Sequence, residues 1–185
     1  MKKLRVGVAG LGRGRQFVDL FRAIPECEVV AVCDPLKRTH AAFQDVAAYT
    51  DYDRFLGEGL DVVAVISPGP VHAEQSVKAM QAGAHVLCET PCVYSVDEAQ
   101  QVVATVRRTG KVFMLAEDYL WMGWVVRMKA QAAGGAFGEA VYAEGDYTHD
   151  CRDIMLATDA GFVPYAERHR HPNARKTWRA THLPP

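Results

Sequence analysis

The segment Val6-Gly7-Val8-Ala9-Gly10-Leu11-Gly12-Arg13-Gly14-Arg15 constrains the fold more than any other part of the chain. An apolar strand pattern runs into it and a helical pattern runs out of it. Clustered glycines at such a junction let the backbone turn sharply and come close to a ligand. The helix that follows points free N–H groups and its positive dipole end at the same place, which suits a pyrophosphate. Asp34 closes the next apolar run, Glu28 to Cys33. That is the spacing at which an acid meets the ribose hydroxyls of a dinucleotide. Gly10, Gly12, Arg13, Gly14 and Asp34 are therefore candidate dinucleotide-binding residues. One departure is visible. The usual third glycine would fall at position 15, where Arg15 stands, and Gly14 comes one place early. The first helical turn is accordingly expected to pack differently, with Arg13 and Arg15 adding charge near the phosphates. The same residues would also serve a tight strand–helix turn that binds no nucleotide.

Apolar periodicity extends this start into a regular alternation. Strands are expected at Leu4–Ala9, Glu28–Cys33, Tyr49–Asp51, Val62–Ile66, His85–Cys88 and Lys111–Leu115. Helices are expected at Gly14–Ile24, with Phe17, Leu20, Phe21 and Ile24 on one face, and at Leu36–Val46. A short helix capped by Asp53 should follow. The helix after Ser67-Pro68-Gly69-Pro70 should bury Val71, Val77 and Met80 and end at Gly83. The next should open on the capping box Ser95-Val96-Asp97-Glu98, carry Ala99, Val103 and Val106, and close at Gly110. The alternation predicts an α/β fold with a doubly wound parallel sheet and right-handed crossovers. Beyond it the rhythm changes. Residues Met122 to Ala133 read as a helix. Glu139 to Thr148 alternates like a strand with one buried face, the start of an α+β, antiparallel-sheet domain. A single strand of that kind cannot bury its apolar face alone, so either another chain supplies the missing strands or, the reading favoured, the chain is a fragment of a longer one. Trp121, Met122 and Trp124 are expected in the core rather than on a binding platform.

Composition narrows the partners. Among 185 residues, 21 are basic and 22 acidic, a net charge of -1, which gives no electrostatic basis for nucleic acid or an acidic membrane surface. No apolar run approaches the length of a membrane span, and glycines and Arg13 break up the stretch behind the basic start, so it reads as a first strand and not as a signal peptide. Five cysteines, Cys27, Cys33, Cys88, Cys92 and Cys151, include no C-x-x-C pair. Free thiols in a reducing, cytoplasmic setting are expected. His149, Asp150, Cys151, Asp153, His169, His171 and His182 fit no compact zinc spacing, and no metal site is expected.

Four segments carry a family resemblance: the glycine loop, Cys33-Asp34-Pro35, Ser67-Pro68-Gly69-Pro70-Val71-His72, and Ala82-Gly83-Ala84-His85-Val86-Leu87-Cys88-Glu89-Thr90-Pro91. With them the chain resembles the glucose-fructose oxidoreductase / inositol dehydrogenase (Gfo/Idh/MocA) superfamily. The resemblance implies a Rossmann-type NAD(P)-binding domain over residues 1–120. Residues 121–185 would be the incomplete start of a substrate and oligomerisation domain, giving a homo-oligomer when full length. It implies NAD as coenzyme and a sugar, cyclitol or related polyol as substrate. NADP remains open, because Arg38 is placed to meet a 2′-phosphate, but an acid at position 34 repels that phosphate.

Carried over by motif, Gly10, Gly12 and Arg13 would line the pyrophosphate and Asp34 would hold the adenosine ribose. Ser67, Pro68 and His72 would border the nicotinamide, and Glu89 would bond its ribose. His72 is equally readable as a helix N-terminal residue without a ligand role. The family's Glu-Lys-Pro is Glu89-Thr90-Pro91 here, so another group must move the substrate proton. His182, matched to a substrate-facing histidine of the second domain, and Tyr119 are the candidates. Three functions follow: hydride transfer to or from a polyol, glycoside hydrolysis by transient oxidation and elimination, or coenzyme binding by a catalytically impaired, regulatory fragment.

Overall fold

A computed structural model describes residues 2–146, 148, 150–158 and 161–177. The chain divides into two compact units, Met1–Glu117 and Asp118–Pro185.

The first unit is built on a parallel sheet of six strands: β1 (Leu4–Ala9), β2 (Cys27–Cys33), β3 (Ala47–Tyr49), β4 (Val62–Val65), β5 (His85–Cys88) and β6 (Phe113–Leu115). Their order is β3-β2-β1-β4-β5-β6. Helices α1 (Gly14–Arg22), α2 (Tyr52–Leu56), α3 (His72–Gln81) and α4 (Val96–Thr109) connect them. Alternate strand residues feed two separate cores, as a sheet covered on both faces requires. Val6, Val8, Val29, Ala64 and Ile66 pack with Leu11, Val18, Phe17 and Phe21. Ala9, Ala31, Cys33, Val63, Val65, Val86 and Cys88 pack with Phe55, Ala79, Met80 and Val102. The doubly wound parallel sheet is thus borne out.

Local differences have identifiable causes. Residues 36–46 do not form an α-helix. They make a 3-10 turn at Lys37–Ala42, because Thr39 Oγ1 donates to the Leu36 carbonyl at 2.7 Å and the His40 ring bonds the Asp34 carbonyl at 2.8 Å. Side chains that bond nearby backbone in this way compete with helical pairing. Asp51, not Asp53, caps α2, accepting from the Arg54 N–H at 2.8 Å; Asp53 instead pairs with Lys78. On α1 the buried face is Gly14 and Val18, flanked by Phe17 and Phe21, while Leu20 and Ile24 are exposed. Val71 is exposed ahead of α3, and α4 buries Val102 and Thr105 where Val103 had been expected. The α4 cap is as expected: Ser95 Oγ accepts from the Glu98 N–H, and Glu98 in turn accepts from the Tyr94 N–H at 2.6 Å.

The second unit contains α5 (Gly123–Ala133) and a small antiparallel sheet of β7 (Leu156–Thr158), β8 (Gly161–Val163) and β9 (Arg175–Lys176), in the order β8-β7-β9. The expected strand at 139–148 is absent from its described residues: 139–146 carry no strand, and Val141 is 92% exposed. A strand with no neighbour to supply hydrogen bonds or a covering face does not form. Trp121, Met122 and Trp124 are exposed rather than in a core.

Candidate active site

The loops at the carboxyl ends of β1, β2, β4 and β5 share one edge of the sheet. Backbone bonds bring them there: Gly10 N–H to the Cys33 carbonyl at 2.8 Å, Ile66 N–H to the Ala9 carbonyl at 2.8 Å, and Glu89 N–H to the Val65 carbonyl at 2.9 Å. β1 and β4 are neighbours from which the chain continues in opposite directions across the sheet. Such a switch point opens the crevice in which doubly wound sheets hold ligands.

The glycines differ in their roles. Gly10 has φ +88, and a Cβ there would stand 2.5 Å from Ser67 Cα and 2.6 Å from the Ile66 carbonyl carbon. Only glycine satisfies both the turn and the approach of the β4 backbone. Gly14 lies against the core, where a Cβ would meet Val8 Cγ1 at 3.1 Å and Ile66 Cβ at 3.5 Å. It thus performs the close helix–strand packing for which a glycine at position 15 was missing. A Cβ on Gly12 would meet nothing within 4 Å. Backbone that is open on that side, at the head of α1, suits the approach of a diphosphate.

Asp34 is 8% exposed. Its Oδ2 accepts the Leu11 N–H at 2.7 Å and its Oδ1 the Leu36 N–H at 2.9 Å. A carboxylate has about four acceptor positions, so capacity remains for ribose hydroxyls. The bond to Leu11 fixes the acid against the glycine loop itself, a contact that chain spacing did not reveal.

His72 is 1% exposed and bridges two loops. Its Nδ1 lies 2.8 Å from the Pro91 carbonyl oxygen and its Nε2 2.6 Å from the Ser67 carbonyl oxygen. Both ring nitrogens are thus engaged with backbone, and the side chain braces the Ser67 turn against the Thr90–Pro91 segment. Pro68 begins the short 3-10 turn ahead of α3. Glu89, at the end of β5, pairs with Arg13: Arg13 Nε lies 2.7 Å from Glu89 Oε1. Burial raises the Cys33 and Cys88 thiols to about 12, with the nearby Asp34 carboxylate adding to the effect on Cys33. Neither thiol is a nucleophile at neutral pH. Tyr119 belongs to the second unit, in a 3-10 turn at Tyr119–Trp121, 42% exposed. His182 lies outside the described residues. Among the described residues no cluster of three His, Cys, Asp or Glu side chains is suited to a metal ion, and no helix is long and apolar enough to cross a membrane.

Residues 4–117 match the model of the oxidoreductase family with an NAD-binding Rossmann fold, Gfo/Idh/MocA. The chain belongs to this family. Its glycine loop and Asp34 lie within the matched NAD-binding Rossmann segment, and the residues present fit that coenzyme. Among curated relatives, a glycosyl hydrolase family 109 protein of Streptomyces niveus is 35% identical over 171 residues, spanning 84% of this chain and 35% of the relative. A second, from Porphyromonas gingivalis, is 31% identical over 169 residues, 83% of this chain and 36% of the relative. The chain thus spans about a third of the length of these relatives. Among solved structures, myo-inositol 2-dehydrogenase from Lactobacillus plantarum superposes with a TM-score of 0.70 at 25% identity, covering 76% of this chain and 44% of that one. Scyllo-inositol dehydrogenase from Lactobacillus casei, solved with NAD(H) and scyllo-inositol, gives 0.69 at 21% identity over 75% of this chain and 43% of that one, which is a likeness of fold.

Proposed function

We propose that residues 1–120 form the coenzyme-binding part of an enzyme that moves hydride between NAD and a carbinol carbon of a sugar, cyclitol or related polyol. Residues 121–185 would begin its substrate-binding part. The observation that carries this reading is Asp34 held by the Leu11 and Leu36 amides at the rim of a glycine loop whose Gly12 backbone is open. Gly12 and the head of α1 receive the diphosphate. Asp34 accepts the ribose hydroxyls and repels a 2′-phosphate, which favours NAD over NADP. Bound NAD supplies a hydride acceptor. Ser67, Pro68 and Glu89 border the far side of the crevice, with His72 holding that border in place. Thr90 cannot titrate where the family carries lysine, so the substrate proton passes to His182 or Tyr119. Calorimetric titration of the chain with NAD and NADP tests the reading: NAD binds one to one and more tightly, and absence of binding at millimolar NAD defeats it.

A second reading is favoured by the family 109 relatives, named as glycosyl hydrolases. The same site would serve net hydrolysis of a glycoside with no net consumption of coenzyme. Release of a chromogenic aglycone at constant NADH absorbance separates this from polyol oxidation, in which NADH accumulates. Tight NAD binding with neither activity would leave a coenzyme-binding regulatory role.

A further inference from the structure

The ion pair between Arg13 and Glu89 joins the two sides of the crevice. Arg13 stands at the N-terminus of α1, and the first turn of that helix contains no acidic residue. Its counter-charge comes instead from the end of β5, two strands away across β4. The side chains differ in exposure: Arg13 is 53% exposed and Glu89 only 13%. Withdrawing the guanidinium therefore leaves a largely desolvated carboxylate without its partner, which is unfavourable unless other donors replace it. An incoming diphosphate competes for that guanidinium, since phosphate and carboxylate both suit its fork of N–H groups.

We propose that this pair is a specificity device selecting dinucleotides over mononucleotides, an inference that rests on the NAD reading above. A ligand bearing only a diphosphate must draw Arg13 away from Glu89 and offers nothing to the acid. A ligand long enough to bring hydroxyl groups to the end of β5 supplies donors that Glu89 accepts, so the exchange is compensated at both ends. Glu89 then acts as an internal competitor for the diphosphate and, once released, as an acceptor for the distal half of the ligand. Arg13 is the positioning residue through which the two events are coupled.

The test compares ADP and NAD binding by calorimetry for the wild-type chain and its E89Q, R13A, R13K, R13A/E89Q and R13K/E89Q variants, with thermal melts as a check on folding. E89Q nearly preserves shape and removes the competing charge. ADP affinity should rise about threefold to fivefold in E89Q, the scale of an ion pair that is partly exposed, while NAD, which already recovers that cost through Glu89, gains less, so the preference for NAD over ADP narrows. The ADP gain should persist with R13K as the parent and vanish with R13A. Unchanged or weaker ADP binding by E89Q would overturn the proposal, as would an equal gain in the R13A background. A wild-type chain that binds neither ligand at millimolar concentration would instead defeat the NAD reading beneath it.

Discussion

Replacing Gly10 and Gly12 separately by alanine should split folding from coenzyme binding. At Gly10 the φ of +88 disfavours any Cβ, and the added methyl would lie 2.5 Å from Ser67 Cα and 2.6 Å from the Ile66 carbonyl carbon. The left-handed conformation costs an alanine about 1–2 kcal/mol. Overpacking against backbone that cannot rotate away adds about 1–3 kcal/mol. G10A should therefore lose about 3 kcal/mol, a large share of the roughly 5–15 kcal/mol that a domain possesses. At Gly12 the same methyl meets no atom within 4 Å, so stability should change by less than about 0.5 kcal/mol. That methyl nevertheless occupies the open side of the backbone to which the diphosphate is assigned, and NAD affinity should fall at least about tenfold, equivalent to about 1.4 kcal/mol. Urea unfolding measures the first quantity and calorimetry the second. A G12A variant that unfolds like G10A, or that binds NAD as tightly as wild type, would refute the division of roles.

Other consequences are equally direct. D34A removes the acceptor for the Leu11 and Leu36 amides; it should lower stability by about 1–3 kcal/mol and narrow the preference for NAD over NADP, as read from the two titrations. Cys33 and Cys88 are pushed up to about 12 from an ordinary value of 9.0, mainly by burial, and burial raises the Tyr52 hydroxyl in the same sense. A group whose folded pKa is raised contributes stability that is intact below its unfolded pKa. Urea midpoints should thus hold up to about pH 9 and fall between about pH 9 and 12, by up to about 1.4 kcal/mol per pH unit for each thiol; a flat profile would contradict that burial. S95A removes the hydroxyl that accepts the Glu98 N–H and should lower the unfolding free energy by about 1 kcal/mol, with coenzyme affinity unchanged.

Much of the first unit was legible because its signals are local. β1, β4 and β5 are short apolar runs bounded by glycine, proline or a polar turn. Gly10 and Asp34 stand at the ends of β1 and β2, where the chain turns, and the Ser95 cap is written within four residues. What escaped depended on neighbours distant in sequence. The stretch after Leu36 has helical spacing, but Thr39 and His40 bond adjacent carbonyls instead. Residues 139–148 alternate as a strand does, yet alternation supplies no partner strand. The face of α1 turned on Gly14, whose role appears only when Val8 and Ile66 are seen against it. The motif left His72 open between a nicotinamide border and a helix N-terminal residue without a ligand role, and only the fold shows both of its nitrogens against backbone carbonyls. Nothing in the sequence paired Arg13 with Glu89, because that contact exists only once β5 is laid beside β4.

The proposed function stands on a dinucleotide seated in the turn from Gly10 to Gly14, with Asp34 beside it. Amide chemical shifts followed during an NAD titration of isotopically labelled protein test it residue by residue. The largest changes should fall on Leu11, Gly12 and the first turn of α1, together with Leu36. Shifts confined to another surface, or none at millimolar NAD, would contradict it.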